Sequence, residues 1–467
     1  MLEMYRQSLE KAGCFKQEYP QILEDVSKVI PGNIPKKMKV LLAATELVVF
    51  ASHLRKPILW KDDKIPVNLI SFLIGGSGEG KGVSIKSVSS VLSKGYKKIN
   101  EYRDIHSKAL AIQAAVEDGK QERDWRKYHS KPRNLKAAVS TLPGTMKHLA
   151  ALEAGNLGAG YMYVDEIGSE LVSNADLSEN IVALAIGYDS GEIPAKIVKD
   201  DASQVEPIDN LPYSALMFGS PTNIIEDEKV KRKFKEEFST KLSRRSFFSF
   251  VDEEPELQKF SSIALSRDYD RAEEKAVKAA RADYTPWFTA LVDTTTPTPL
   301  EASQEVKDLF SDYNNYNKWY AQTISQKHPM HKLHRRHLQW KTLKLAGALA
   351  ILMGDISIEK HHFVQAVRFS EIFCPDLEAF EIELDKEPYE LFIKYMHKHA
   401  EGGFHSISLH QLRKLGFITG QGSEKRLQEL ADLAASADDS AYTVSGKYIH
   451  FQEAVEEQRQ EDLGGMV

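Results

Sequence analysis

Cysteine is nearly absent. Of 467 residues only Cys14 and Cys374 are cysteines, and they lie far apart in the chain. That excludes a disulfide framework and a zinc site of the CxxC type, and it fits a reducing compartment, so a cytoplasmic location is expected. No run of about 18 apolar residues occurs, so no transmembrane helix is expected. The first twenty residues, MLEMYRQSLEKAGCFKQEYP, are polar and lack the apolar core of a secretory signal. Basic residues are not in excess either: 61 Lys and Arg stand against 67 Asp and Glu, a formal net charge of -6. This excludes a globally basic, histone-like binder but leaves room for a local basic surface. No internal repeat is present. What is present is an ordinary globular composition, 42% hydrophobic and 27% charged, in a chain too long for one core.

Apolar residues at helical spacing in PQILEDVSKVI and KKMKVLLAATELVVFASHL predict a helical region over residues 1–60, a candidate oligomerisation collar. VNLISFLI (67–74) predicts a buried strand. The pattern is helical from Ser84 to residue 118 and then charged, and the stretch 96–135 reads as a helical insertion projecting from the sheet. AAVSTL, YMYV (161–164), YSALMFG and RRSFFSFV (244–251) predict further strands. Strands alternating with helices over 61–255 predict an α/β core with a parallel sheet. Residues 256–387 read as a helical lid. Residues 388–452 run helix, helix, helix and hairpin, the plan of a winged helix, and 453–467 reads as a frayed tail.

The stretch FLIGGSGEGKGVS joins the strand at 67–74 to the helix that follows. A strand that ends in glycines and opens a helix gathers backbone N–H groups around one point, and the helix N-terminus adds partial positive charge there. Glycine lets the loop take positive φ and lets phosphate oxygens approach the main chain. Gly75 to Lys81 fits G-x-x-x-x-G-K, with the lysine reaching the outer phosphates. Gly75, Gly76, Ser77, Gly78, Glu79, Gly80, Lys81, Gly82 and Val83 are therefore the candidate ATP-binding residues. Gly82 stands where a hydroxyl that ligates Mg²⁺ is expected, and Ser77 or a water is the candidate substitute.

A P-loop ATPase also needs a carboxylate at the tip of a neighbouring strand. YMYVDE supplies Asp165 for the Mg²⁺ shell and Glu166 to orient and polarise the attacking water. YSALMFGSPTN ends a strand with Ser220, Thr222 and Asn223, candidates to sense the γ-phosphate or to position water. KLSRRSFFSF sets Arg244 and Arg245 just before a strand, where an arginine offered to the next subunit's nucleotide would stabilise transition-state charge.

The order GGSGEGKG, YVDEIGSEL, AIGYDSGEIPAKIVKD, SALMFGSPTN, LSRRSFFSF and HLQWKTLKLAGALAIL resembles that of phage and mobile-element P-loop ATPases of the primase-helicase kind. It is also similar to that of superfamily 3 helicases, which share the AAA+ fold and assemble as hexameric rings. The resemblance covers residues 20 to 375. It implies a ring-forming homo-oligomer, a hexamer, that moves on single-stranded DNA in the host cytoplasm, with a primase or polymerase as a partner chain. In superfamily 3 helicases a β-hairpin before the sensor strand lines the pore; EIPAKIVKDDASQVEPI occupies that place here, with Lys196 and Lys199 as candidate DNA contacts.

HPMHKLHRRHLQWK places His328, His331, His334 and His337 three apart, so at most two or three could share a metal. A lid helix with Arg335 or Arg336 near nucleotide or DNA is the competing reading. In the winged-helix segment, Lys425 and Arg426 open the candidate recognition helix. The reading that results is a replicative DNA helicase driven by ATP and Mg²⁺. The alternative is a nucleotide-gated, DNA-binding loader or scaffold that hydrolyses ATP slowly because of Gly82. A packaging or defence ATPase is a third possibility.

Overall fold

Strands with no polar face set the architecture. The computed structural model describes residues 1–32, 34–76, 81–121, 126, 137–138, 141–153, 157–194, 207–225, 227–251, 263–401, 403–414, 417–418, 423–438 and 440–452. They fall into two units, residues 1–224 with 229–381, and residues 382–467 with 225–228. The first unit opens with helices α1 (Leu2–Lys11), α2 (Gln21–Ser27) and α3 (Lys36–Ser52), then the hairpin β1 (Ile58–Trp60) and β2 (Asp63–Ile65). Next come β3 (Ile70–Ile74), α4 (Lys81–Glu117), β4 (Ala137–Ala138), α5 (Leu142–Glu153) and β5 (Gly160–Val164). Helices α6 (Ile167–Ser173) and α7 (Asp176–Ser190) lead to β6 (Tyr213–Gly219), α8 (Pro221–Ile225) and α9 (Glu228–Glu237). A turn of π-helix (Phe238–Leu242) precedes β7 (Ser246–Phe250). The rest is helical apart from two short strands: α10 (Ile263–Thr294), β8 (Leu300–Ala302), α11 (Gln304–Thr323), α12 (Pro329–Met353), β9 (Ser357–Ile358) and α13 (Lys360–Asp385).

The central sheet has the order β4-β5-β6-β3-β7 and every pairing in it is parallel. Both middle strands, ISFLI and YSALMFG, are buried at every residue, as expected where helices cover both faces. On one face lies α3, itself buried almost all round, whose Thr45 hydroxyl donates to Ser71 Oγ at 2.7 Å. Helix α4 packs outside it and is held to α10 by Lys98 and Tyr102, both bonded to Asp293. On the other face Phe72 meets Phe238 with ring centroids 4.9 Å apart, and Phe248 meets Phe380 at the same distance. Such aromatic pairs contribute about 0.5–1.5 kcal/mol each beyond burial.

The chain is thus a mixed α/β protein, mostly helical, built on a parallel sheet. A second sheet, β2-β1-β8-β9, sits in the same unit. Its strands are two or three residues long, too short to show a period of two, so β1, β8 and β9 fall in stretches whose sequence predicts helix. Helical structure ends at Ser52 rather than at residue 60; Arg55 turns the backbone to φ 54 ahead of Pro57 and β1. The stretch read as an insertion from 96 is, as far as Glu117, the unbroken continuation of α4. The N-terminus of α12 is capped by a buried carboxylate from α13: Glu381 accepts from the N–H groups of Met330 at 2.8 Å and His331 at 2.9 Å.

The second unit contains α14 (Pro388–Glu401), β10 (Ser406–Ser408), α15 (Leu409–Lys414), α16 (Ser423–Ala437), β11 (Ala441–Ser445) and β12 (Tyr448–Gln452). Its sheet is antiparallel with the order β10-β12-β11. Phe392, Met396, Leu412, Leu427, Ile449 and Phe451 form its core.

Candidate functional site

Parallel strands end together. The pairings Ile74 with Gly219, Ile74 with Phe250, and Val164 with Met217 bring the carboxyl ends of β3, β7, β5 and β6 to one edge of the sheet. In open α/β sheets this edge is where ligands bind. Gly75 leaves β3 with its N–H bonded to Gly219 O at 3.1 Å, and Gly76 is half-buried. Ser77, Gly78, Glu79 and Gly80 lie outside the described residues. Helix α4 begins at Lys81, five residues after Gly76 in the sequence. Gly82 and Val83 are exposed.

Asp165 is exposed just past β5, and its Oδ1 accepts from the Tyr163 hydroxyl at 2.8 Å. Burial, and then the bond to Asp165, raise the Tyr163 phenol above its ordinary pKa, so it stays a donor. Glu166 is half-buried. Its Oε1 accepts from Ser220 N at 3.2 Å and from Gly168 N at 3.4 Å, so it caps α6 and ties the tip of β5 to the tip of β6. Ser220 is buried and its Oγ accepts from Asn223 N at 3.4 Å, while Thr222 and Asn223 are exposed. A Cβ on Gly168 would come within 3.2 Å of Asn223 Cβ and O, so glycine is what lets these two loops touch.

The paired arginines are not equivalent. Arg245 is buried; its Nε donates to Asp189 Oδ1 at 2.9 Å, its Nη2 to Asp189 Oδ2, and its Nη1 to Lys241 O at 2.5 Å. Arg244 keeps its side chain 37% exposed and reaches the same Asp189 at 3.5 Å. Arg245 is therefore engaged within its own chain, and Arg244 is the more exposed of the two. Arg335 is likewise buried, bidentate to Glu371 at 2.7 and 2.9 Å and stacked 4.4 Å from the Tyr320 ring centroid. It is a packing element and not a ligand-facing arginine, whereas Arg336 is exposed.

Lys196 and Lys199 lie outside the described residues. The root of their segment is described: Ile193 and Ile208 exchange antiparallel backbone bonds at 2.8 and 2.9 Å. Gly191, the cap of α7, holds φ 76, and a Cβ there would come 3.3 Å from Leu211 N, so the turn that leaves α7 requires glycine.

The histidine run does not gather a metal. His331 and His334 are buried, with burial holding His331 down to about 4 and His334 well below its ordinary range. Among the described residues one trio, Asp355, His361 and His362, has its ligand atoms within 4.8 Å of one another. His362 Nδ1 accepts from Glu359 N at 3.0 Å, which leaves the proton of the neutral ring on Nε2, facing Asp355 at 2.9 Å. That tautomer makes a helix-start clasp and spoils Nε2 as a ligand.

Sequence reasoning missed several residues that bear on the site. Tyr163 was taken only as strand, although Tyr161, Tyr163 and Asp165 alternate at period two and share one face. Tyr161 donates at 2.7 Å to Glu46, a wholly buried acid on α3. Asp189 carried no signal, being 56 residues from its arginine in sequence.

No family model matches the chain, and no curated protein matches it. No helix among the described residues is long and apolar enough to cross a membrane.

Proposed function

We propose that the chain is a P-loop ATPase of the AAA+, superfamily 3 helicase type, assembled as a hexameric ring that moves on single-stranded DNA. The observation that carries this reading is the single hydrogen-bonded edge formed by three loop starts. Gly75 bonds Gly219, Glu166 bonds Ser220, and the helix that opens at Lys81 follows five residues after Gly76.

The donor set fits a Mg²⁺–triphosphate. Helix-opening N–H groups and Lys81 suit phosphate oxygens, and the exposed carboxylate of Asp165 suits a hard divalent ion. When bound, the ion neutralises charge on the phosphates. Tyr163 holds Asp165 in one orientation. Glu166, with one oxygen fixed by two backbone N–H groups, is oriented as a residue that aligns water must be. Asn223, exposed beside it, is the polar group that probes the γ-phosphate, and Arg244 is the arginine offered to the adjacent subunit. Lys196 and Lys199, in the stretch of sequence between Ile193 and Ile208, are assigned to DNA.

The helix, strand, helix, helix, hairpin order of the second unit supports reading it as a winged helix. Lys425 and Arg426 are exposed on its candidate recognition helix, Lys425 pairing with Glu429 at 3.7 Å. Its role is duplex contact or partner recruitment, and a primase or polymerase is the partner class proposed.

The test is phosphate release and strand separation by the full chain with ATP and Mg²⁺, with and without a single-stranded oligonucleotide. DNA should stimulate turnover, and Lys81→Ala and Glu166→Gln should each abolish unwinding. Unwinding that survives both substitutions ends the motor reading. Binding of ATP and DNA with slow turnover and no unwinding would instead favour the loader, in line with Gly82.

A further inference from the structure

Helix α12 carries two buried lysines, Lys341 and Lys344, about one turn apart on one side of the helix. Among the described residues neither makes an ion pair. Lys341 Nζ donates to the carbonyl of Ser246 at 2.9 Å and of Ser243 at 3.3 Å, and lies 2.8 Å from His334 Nδ1. Lys344 Nζ donates to Asn68 Oδ1 at 2.8 Å and to the carbonyl of Tyr188, and sits 4.1 Å from that tyrosine's ring centroid. Burial brings the Lys344 ammonium down to about 7 and Lys341 well below its usual range.

Burying a lysine amine without a counter-ion is costly in either protonation state, and leucine or methionine would fill the same space without that cost. The acceptors of the two lysines therefore matter, and these acceptors are not scattered. Ser243 and Ser246 bracket Arg244 and Arg245. Tyr188 immediately precedes Asp189, the carboxylate on which both arginines converge. Of the carbonyls gripped by Lys341, that of Ser243 caps a turn of π-helix, where partial negative charge gathers, and that of Ser246 opens β7. One helix thus holds both partners of the arginine–aspartate pair from behind.

We propose that Lys341 and Lys344 are positioning residues that clamp the Ser243–Ser246 turn and the carboxyl end of α7 to one helix, so that Arg244 and the backbone bridge between Ile193 and Ile208 move as one body. The consequence for catalysis rests on the function proposed above: a displacement of the Ile193–Ile208 bridge would set the reach of the inter-subunit arginine. The clamp itself does not depend on that function.

Hydrogen exchange on the full chain tests the clamp directly. The Arg245 N–H, bonded to Leu242 O at 2.8 Å, reports one end, and the Gly191 N–H, bonded to Gly187 O at 3.0 Å, reports the other. Lys341→Met and Lys344→Met are each expected to speed exchange at both ends, by about tenfold or more. Faster exchange confined to the end whose own lysine was changed overturns the coupling. Unchanged exchange at both ends overturns the clamp. If one of the two variants does not fold, the other carries the same test from its own end.

Turnover provides the second arm. Lys341→Met should lower kcat about tenfold or more with KM within about threefold, and should add less than about twofold to the effect of Arg244→Ala, because both act through one arginine. Full additivity overturns the positioning role. A wild-type chain that neither binds nor hydrolyses ATP sinks the proposed function, while the exchange data still decide the clamp.

Discussion

Glu166 and Ser220 are joined across the sheet edge, with Ser220 N donating to Glu166 Oε1 at 3.2 Å. The same oxygen receives the N–H of Gly168, so one carboxylate oxygen fixes the start of α6 and couples two loops. Orientation and folding therefore share one side chain, and substitution can separate them.

Glu166→Gln keeps the acceptor. Its stability should stay within about 0.5 kcal/mol of wild type, while turnover falls about 10²–10⁴-fold, the usual scale for losing a general base. Glu166→Ala should lose turnover and about 1–2 kcal/mol of stability as well, since a helix cap goes with it. Thermal melts alongside phosphate release distinguish the two. Equal stability loss in both variants would mean the bond to Ser220 carries no weight.

Gly82 is exposed, and a Cβ there meets nothing within 4 Å. Gly82→Ser is thus sterically free, and it restores the hydroxyl that this position otherwise lacks. A ligand worth about 1 kcal/mol corresponds to about fivefold in rate. The expected result is a lower Mg²⁺ half-saturation and a severalfold rise in turnover, read from a Mg²⁺ titration. No change would place the ion away from the start of α4.

Arg335 and Glu371 form a buried bidentate pair that Tyr313 completes, donating to Glu371 at 2.7 Å. Removing one partner strands the other charge. Arg335→Ala should cost about 3–5 kcal/mol in urea unfolding, whereas Arg336→Ala should stay within about 0.5 kcal/mol. A double replacement, Arg335→Met with Glu371→Gln, should recover part of the loss.

His331 and His334 are held neutral by burial, with the charge of Arg335 acting in the same direction on both. The folded state then binds fewer protons than the unfolded chain below pH 6.5, and stability falls on acidification. For His331 the loss runs from about pH 6.5 down to about 4 and then levels, and for His334 it continues lower. At pH 5 each histidine should cost about 1–2 kcal/mol relative to pH 7. Urea midpoints at the two pH values test this, and His334→Gln should narrow the gap.

The edge of the sheet was legible because its strands are apolar at every position and end in residues with strong local meaning. ISFLI runs into glycines, YMYV into two acids, and YSALMFG into Ser-Pro-Thr-Asn. Such signals are local, and parallel pairing brings them together. What was not legible depends on partners distant in sequence. Arg244 and Arg245 look alike in LSRRSFF, yet one is buried on Asp189 and the other stays half-exposed, a difference set by strand direction and by α7. Arg335 reads like any arginine on a lid helix until Glu371 arrives from α13. Nothing local in WKTLKLAGALAIL marks its lysines as buried, but α12 is enclosed there, and their acceptors lie 95 and 156 residues away.

Helix α4 has 37 residues, a rod of about 55 Å that starts beside the glycine loop. Swinging it by about 10° at Lys81 would carry Glu117 through about 10 Å. Because Lys98 and Tyr102 pin it to Asp293, α10 would have to travel with it. A small adjustment at Lys81 would thus be read out, amplified, at Glu117, the other end of the longest helix among the described residues.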